Sequence, residues 1–167
     1  LHLSDDVDYV WYIDSDDWLQ DNKVLEDIDK LLRNNPDVLF IGMSLYQRGK
    51  TLDYYIPRYQ NKYDAIIGWS GSCGKVIRKG LATRQECLFN EGTLKEDRNQ
   101  HRKICIYMKD FELLQRAVYV WNRENTKSVT TERSKNVLWY TSTIRQYADT
   151  LELQLRVEGQ DDKIDRI

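Results

Sequence analysis

The sequence predicts an α/β fold, and two observations carry the prediction. Apolar runs of strand length alternate with stretches of helical periodicity through most of the 167 residues. The first apolar run also stops abruptly at four residues with oxygen side chains, Asp14-Ser15-Asp16-Asp17. Open α/β sheets bind their ligands beyond the carboxyl ends of the strands, so this is where a site is expected.

The elements follow in order. Val7 to Ile13 (VDYVWYI) is β-branched and aromatic, the composition of a buried strand. Leu19, Val24, Leu25, Ile28, Leu31 and Leu32 recur at three- and four-residue spacing and predict a helix closed by Asn34-Asn35-Pro36. Val38 to Leu45 (VLFIGMSL) is nearly continuously apolar, as an interior strand covered on both faces must be. Residues 47–63 are polar and Tyr-rich and predict a hairpin or loop. Cys73 to Ile77 predicts a short strand, Lys95 to Met108 a helix with Ile104, Tyr107 and Met108 on its apolar side, and Ala117 to Trp121 another strand. From Ser134 onward the pattern is helical and polar, with Leu138, Ile144, Leu151, Leu153 and Leu155 as its apolar points. The expected organisation is one α/β unit over residues 1–132 and a helical extension over 133–167.

Composition excludes several classes. Only 2 Pro and 8 Gly argue against a disordered chain, and 11 Tyr with 5 Trp supply aromatic core material. The longest apolar run, Val38 to Met43, is too short to span a bilayer. The three cysteines, Cys73, Cys87 and Cys105, are odd in number and widely spaced, which fits reduced buried thiols better than a disulfide scaffold or a zinc module. A net charge of -2 gives no reason to expect nucleic acid. The charge is unevenly placed, however. Residues 1–30 hold ten acids against two lysines, and the remainder is net basic. An acidic front with a basic remainder suits a bound cation beside an anionic ligand, or else reflects chance clustering on solvated faces.

The acid cluster is the most informative stretch. Asp14 and Asp16 alternate along an extended backbone, so their side chains can share a side. Converging carboxylates repel unless a cation lies between them, and Mg²⁺ or Mn²⁺ prefers such oxygen ligands. The competing reading is a helix cap from Ser15, Asp16 or Asp17. An EF-hand loop is excluded, because its sixth and twelfth positions would be Leu19 and Leu25. A phosphatase of the haloacid-dehalogenase type also opens on a strand and DxD, but Asp17-Trp18 stands where that family expects a small residue.

A second acid pair, Glu96-Asp97, lies in the first turn of the predicted helix after Phe89-Asn90-Glu91-Gly92. Acids there compensate the helix dipole. Alternatively, Asp97 projects into a cleft as a general base that takes the proton of an attacking hydroxyl. His101, at i+4 from Asp97, shares its face and either orients the acid or is a partly exposed helix histidine.

Five blocks now stand in order: YVWYIDSDDWL (9–19), DVLFIG (37–42), WSGSCGKVIRKGL (69–81), FNEGTLKEDR (89–98) and VYVWNRENTKSV (118–129). Together they resemble the C-terminal half of the catalytic domain of a family 2 glycosyltransferase with the GT-A fold, a Rossmann-like mixed sheet. The resemblance implies that Asp16 ligates a divalent metal, Mn²⁺ or Mg²⁺, with Asp14 near the metal and the ribose of a nucleotide-sugar. It implies that Asp17 and Glu96 lie beside the substrate and that Asp97 is the base of an inverting transfer. Arg123 and Ser128 resemble a loop that closes over the diphosphate, and Lys75 and Trp69 fall where family members line the acceptor side.

The partners implied are a nucleotide-sugar donor and a glycan or lipid-linked acceptor, in the cytoplasm or on the inner face of the membrane. No nucleic acid and no membrane-spanning segment are expected; peripheral membrane attachment and self-association stay open. In that family a nucleotide-binding half precedes the DxD strand, and only a few residues precede it here. The expectation is therefore a partial GT-A fold with exposed sheet edges. Two other functions remain in competition: a non-catalytic interaction module, and a metal-dependent phosphatase built on Asp14 and Asp16.

Overall fold

The structure, a computed structural model, describes residues 3–69, 71–91, 96–124 and 137–159, with the backbone alone over 137–139. Six strands form one mixed sheet: β1 (Tyr9–Trp11), β2 (Trp18–Leu19), β3 (Val38–Gln47), β4 (Lys50–Tyr55), β5 (Lys75–Arg78) and β6 (Phe111–Asn122). Their order is β1-β5-β3-β6-β2, and β4 folds back onto β3. Only β3 and β6 run parallel; every other pairing is antiparallel. The helices are α1 (Val24–Leu32), α2 (Lys62–Ile67), α3 (Lys79–Ala82), α4 (Glu96–Tyr107) and α5 (Val137–Val157).

β3 is the centre of the sheet, and its unbroken apolar character follows from being covered on both sides. Val38 and Phe40 face one layer, where Ala65 of α2, Leu81 and Ala82 of α3, and Ile104 and Cys105 of α4 pack. Leu39, Ile41 and Met43 face the other, against Val24 and Ile28 of α1 and Val118 and Tyr119 of β6. Where β3 and β6 shift register, the two backbones close on each other: a side chain at Gly42 would run into the Arg116 carbonyl. Arg116 then crosses to α1, bonding Asp27 at 2.7 Å and Asp21 at 3.0 Å, and so fixes that helix against β6.

Several boundaries differ from the expectation. The opening strand spans three residues rather than seven, because it pairs only with β5 and lies at the sheet edge among the described residues. The first helix starts at Val24, not Leu19, because Trp18 and Leu19 pair with Val120 and Tyr119 as β2. The last strand starts at Phe111 rather than Ala117, drawn out by its pairing along β3. The Tyr-rich stretch is the expected hairpin, turned at Arg48 and Gly49 with φ of 54° and 70°. The short helices α2 and α3 have no counterpart in the periodicity of the sequence.

The extension beyond residue 133 is α5, packed on α4. Its orientation is unusual: Ser142, Gln146 and Thr150 are buried with Leu153, while Tyr140, Ile144, Tyr147 and Leu151 are exposed. No helix among the described residues is long and apolar enough to cross a membrane.

Candidate active site

The acid cluster lies where β1 ends and the chain turns toward β2. The Asp17 N–H donates to the Asp14 carbonyl at 3.1 Å and closes the turn. Both Asp17 carboxylate oxygens are engaged by β6: one accepts the Asn122 N–H at 2.8 Å, the other the Tyr119 hydroxyl. The same hydroxyl accepts the Asp14 N–H at 3.1 Å. No side chain of the cluster caps α1. That helix begins after Lys23, whose own N–H is taken by Asp21 at 2.8 Å, so the cap reading of the acids fails.

The electrostatics of the turn follow from crowding. Burial raises the Asp14 carboxyl above the usual carboxylate range, and the charges of Asp16 and Asp97 raise it further. Asp17 is raised by burial too, but its bonds from Tyr119 and Asn122 oppose the rise. The Asp97 charge acts on Asp14, so the start of α4, far along the chain, stands within electrostatic reach of the acid turn.

Asp97 is half-buried in the first turn of α4, beside exposed Glu96, and one of its oxygens accepts the Arg98 N–H at 2.8 Å. His101 is not the partly exposed or acid-orienting histidine expected. It is fully buried, its Nε2 meets the Ala65 carbonyl at 2.7 Å, and burial keeps its pKa well below the ordinary imidazole value. Its neighbour Gln100 instead links the helix outward, accepting from Ser72 Oγ at 3.2 Å.

The turn over 69–74 joins these parts. Trp11 of β1 donates from Nε1 to the Cys73 carbonyl at 2.7 Å. The Trp69 ring stacks on Tyr55, with centroids 5.8 Å apart, and lies so close over Gly71 that any side chain there would collide with it. Lys75, at 0% exposure, reaches back beneath the turn and donates to the Gly71 carbonyl at 2.7 Å. Burial lowers its pKa to about 8. The structure thus places Lys75 behind the turn rather than on its open side. Cys73 is half-buried and its thiol is pushed up to about 12 by burial, while Cys87 and Cys105 are buried free thiols, as expected.

Arg123 leaves the end of β6 directly after the residue that clamps Asp17. Its N–H bonds the Tyr46 carbonyl at 2.9 Å, and its exposed guanidinium lies 4.7 Å over the Trp121 ring. Ser128 falls outside the described residues. Asp14, Asp16 and Asp17 thus share one turn, with Asp97 within electrostatic reach of Asp14 and Arg123 following Asn122; Lys75 and Trp69 belong to the neighbouring 69–74 turn. The groups not foreseen are Tyr119, Asn122 and Trp11. The alternation of Val118-Tyr119-Val120 along a strand was the available signal for Tyr119, because it turns a hydroxyl-bearing side chain into the layer opposite Val120.

The donor set fits a hard divalent cation. It consists of oxygens, and Asp14 is loaded with like charge that a cation would relieve. No group of three or more metal-ligating side chains occurs among the described residues.

No protein-family model matches the chain, and no curated protein sequence does. Solved structures do match. The crystal structure of residues 1–349 of S. aureus TarS, a glycosyltransferase, in complex with UDP-GlcNAc gives a TM-score of 0.67 at 16% identity, over 85% of this chain and 42% of that one. The UDP complex of the same protein gives 0.60 at 21% identity, over 70% and 36%. Full TarS gives 0.59 at 18% identity, over 89% and 28%. The chain spans less than two thirds of each. At these identities the likeness bears on architecture, and it bears out the α/β glycosyltransferase fold expected from the sequence.

Proposed function

We propose that the chain carries the catalytic face of a nucleotide-sugar glycosyltransferase, with Asp14 and Asp16 holding Mn²⁺ or Mg²⁺ and Asp97 acting as general base. The observation that carries the reading is that Asp14, in a turn anchored on β6 through Tyr119, feels the charges of Asp16 beside it and of Asp97 at the start of α4.

The chemistry asks for three things. The diphosphate leaving group gathers negative charge as its bond to the sugar breaks, and the metal supplies the balancing positive charge when bound. Arg123 adds a cationic donor from the end of β6, and Ser128 enters only through the family resemblance, as a further group toward the diphosphate. The acceptor hydroxyl forms its new bond to the anomeric carbon from the opposite face, and its proton passes to the Asp97 carboxylate. Such in-line attack inverts the anomeric centre. Asp17 serves the turn itself, since its two oxygens tie it to β6. The donor is a nucleotide-sugar and the acceptor a glycan or a lipid-linked sugar. Location in the cytoplasm or peripherally at a membrane belongs to the same reading.

The test is turnover of UDP-GlcNAc with Mn²⁺, read as UDP release, by the chain and by Asp97→Asn. The variant is expected to lose at least about 100-fold, the range for a general base. Undiminished release in the variant removes Asp97 as base. Asp14-dependent hydrolysis of a simple phosphate ester, without UDP release, replaces the transferase reading with the phosphatase one.

A further inference from the structure

Tyr119 touches the acid turn twice. It is fully buried on β6, its ring 6.1 Å from that of Trp11, so its position is fixed by packing on both sides. Its hydroxyl donates to the Asp17 carboxylate and accepts the Asp14 N–H at 3.1 Å. The Asp17 N–H returns to the Asp14 carbonyl at 3.1 Å, and Asn122 N–H holds the second Asp17 oxygen at 2.8 Å. The peptide groups on both sides of Asp14 are thus tied down, and each tie leads to Tyr119 directly or through Asp17. A hydroxyl held this way has its one donor and one of its acceptor sites committed to the turn.

A ring at this position would be enough for packing. The layer around it is apolar, made of Leu39, Ile41, Met43, Val76 and Val118. A buried hydroxyl in such a layer costs free energy unless it is bonded, so its presence calls for a role that phenylalanine could not fill.

We propose that Tyr119 is a positioning residue for the metal-holding turn: its hydroxyl sets the backbone of Asp14 and the Asp17 anchor, and so the direction in which the Asp14 and Asp16 carboxylates open. This rests on the reading of those two acids as metal ligands. Partners that orient ligating carboxylates are worth about 10- to 100-fold in metal affinity when removed.

The experiment is a titration of Mn²⁺ in the presence of UDP into the chain, Tyr119→Phe and Asp17→Asn, read from the electron paramagnetic resonance of free Mn²⁺, with thermal midpoints beside it. Tyr119→Phe keeps the ring and is expected to bind Mn²⁺ about 10- to 100-fold more weakly, with a midpoint within a few degrees of the parent. A purely structural tyrosine would move the midpoint and leave the affinity alone. A double variant carrying both Tyr119→Phe and Asp17→Asn, titrated alongside, is expected to bind no more weakly than the weaker single one, because both changes act on the same bond. If Tyr119→Phe fails to fold, Asp17→Asn, at a half-buried position of the turn, carries the comparison. Equal affinity in the parent and in whichever single variant folds overturns the role of Tyr119 and leaves the metal reading standing. Absence of Mn²⁺ binding in the parent overturns both.

Discussion

The two helices that cover the centre of the sheet are built from opposite chemistry. α1 buries Val24 and Ile28, with Leu31 and Leu32 half-covered, and shows Glu26, Asp29 and Lys30 to solvent. α4 buries Asn99, Gln100 and His101 before it reaches Ile104 and Cys105, and the fully buried Lys75 comes from the strand facing it. Buried polar groups stabilise only when bonded, and here the bonding is incomplete. Gln100 has Ser72 as partner and His101 has Ala65 through Nε2. Asn99 and His101 Nδ1 have no hydrogen-bond partner among the described residues. Both layers have an apolar core, but α1 covers its side with apolar side chains alone. The layer that presents Asp97 carries the polar load, as is common where a site is built at the expense of packing.

That contrast has measurable consequences. The largest is expected on the apolar side. Ile28→Ala removes a side chain only 6% exposed and is expected to cost about 2–5 kcal/mol of unfolding free energy, the same at pH 7 and pH 10. Denaturant titration at the two pH values checks it; a strongly pH-dependent loss would blur the distinction between the layers.

The polar side is expected to answer to pH instead. The buried Lys75 ammonium has its pKa lowered from 10.5 to about 8. The unfolded chain then holds a proton that the folded chain has lost between those values, so stability rises with pH across that window. The contribution is on the order of 3 kcal/mol. Lys75→Met removes the titrating group. Its stability relative to the parent is therefore expected to fall as pH rises from about 8 to 10.5, and a flat difference would mean the ammonium carries no burial penalty.

Much of this arrangement was legible in the sequence, though unevenly. β3 could be read because a strand covered on both faces must be continuously apolar, and α1 because its apolar points keep helical spacing. β2 could not, because two residues pair only when β6 is already present. The first half of β6 was hidden for a related reason. Glu112, Gln115 and Arg116 make it look polar, yet Arg116 is satisfied by Asp21 and Asp27 of the α1 segment. At the site, the acids announced themselves as a cluster, and the likeness of Asp14, Asp16 and Asp17 in sequence concealed their different surroundings. What separates Asp17 is a tyrosine and a backbone N–H from a strand far away in the chain. Lys75 in turn reads as an exposed cation from its composition alone, and only its place beneath the 69–74 turn shows it to be buried.

The central claim is that Asp14 and Asp16 hold a cation while Asp97 handles a proton. It is tested most directly by calorimetric titration of UDP with Mn²⁺ into the chain, Asp14→Asn, Asp16→Asn and Asp97→Asn. The account predicts that the first two substitutions abolish Mn²⁺-dependent binding and that Asp97→Asn keeps it. Equal binding by all four proteins, or loss confined to Asp97→Asn, would contradict it.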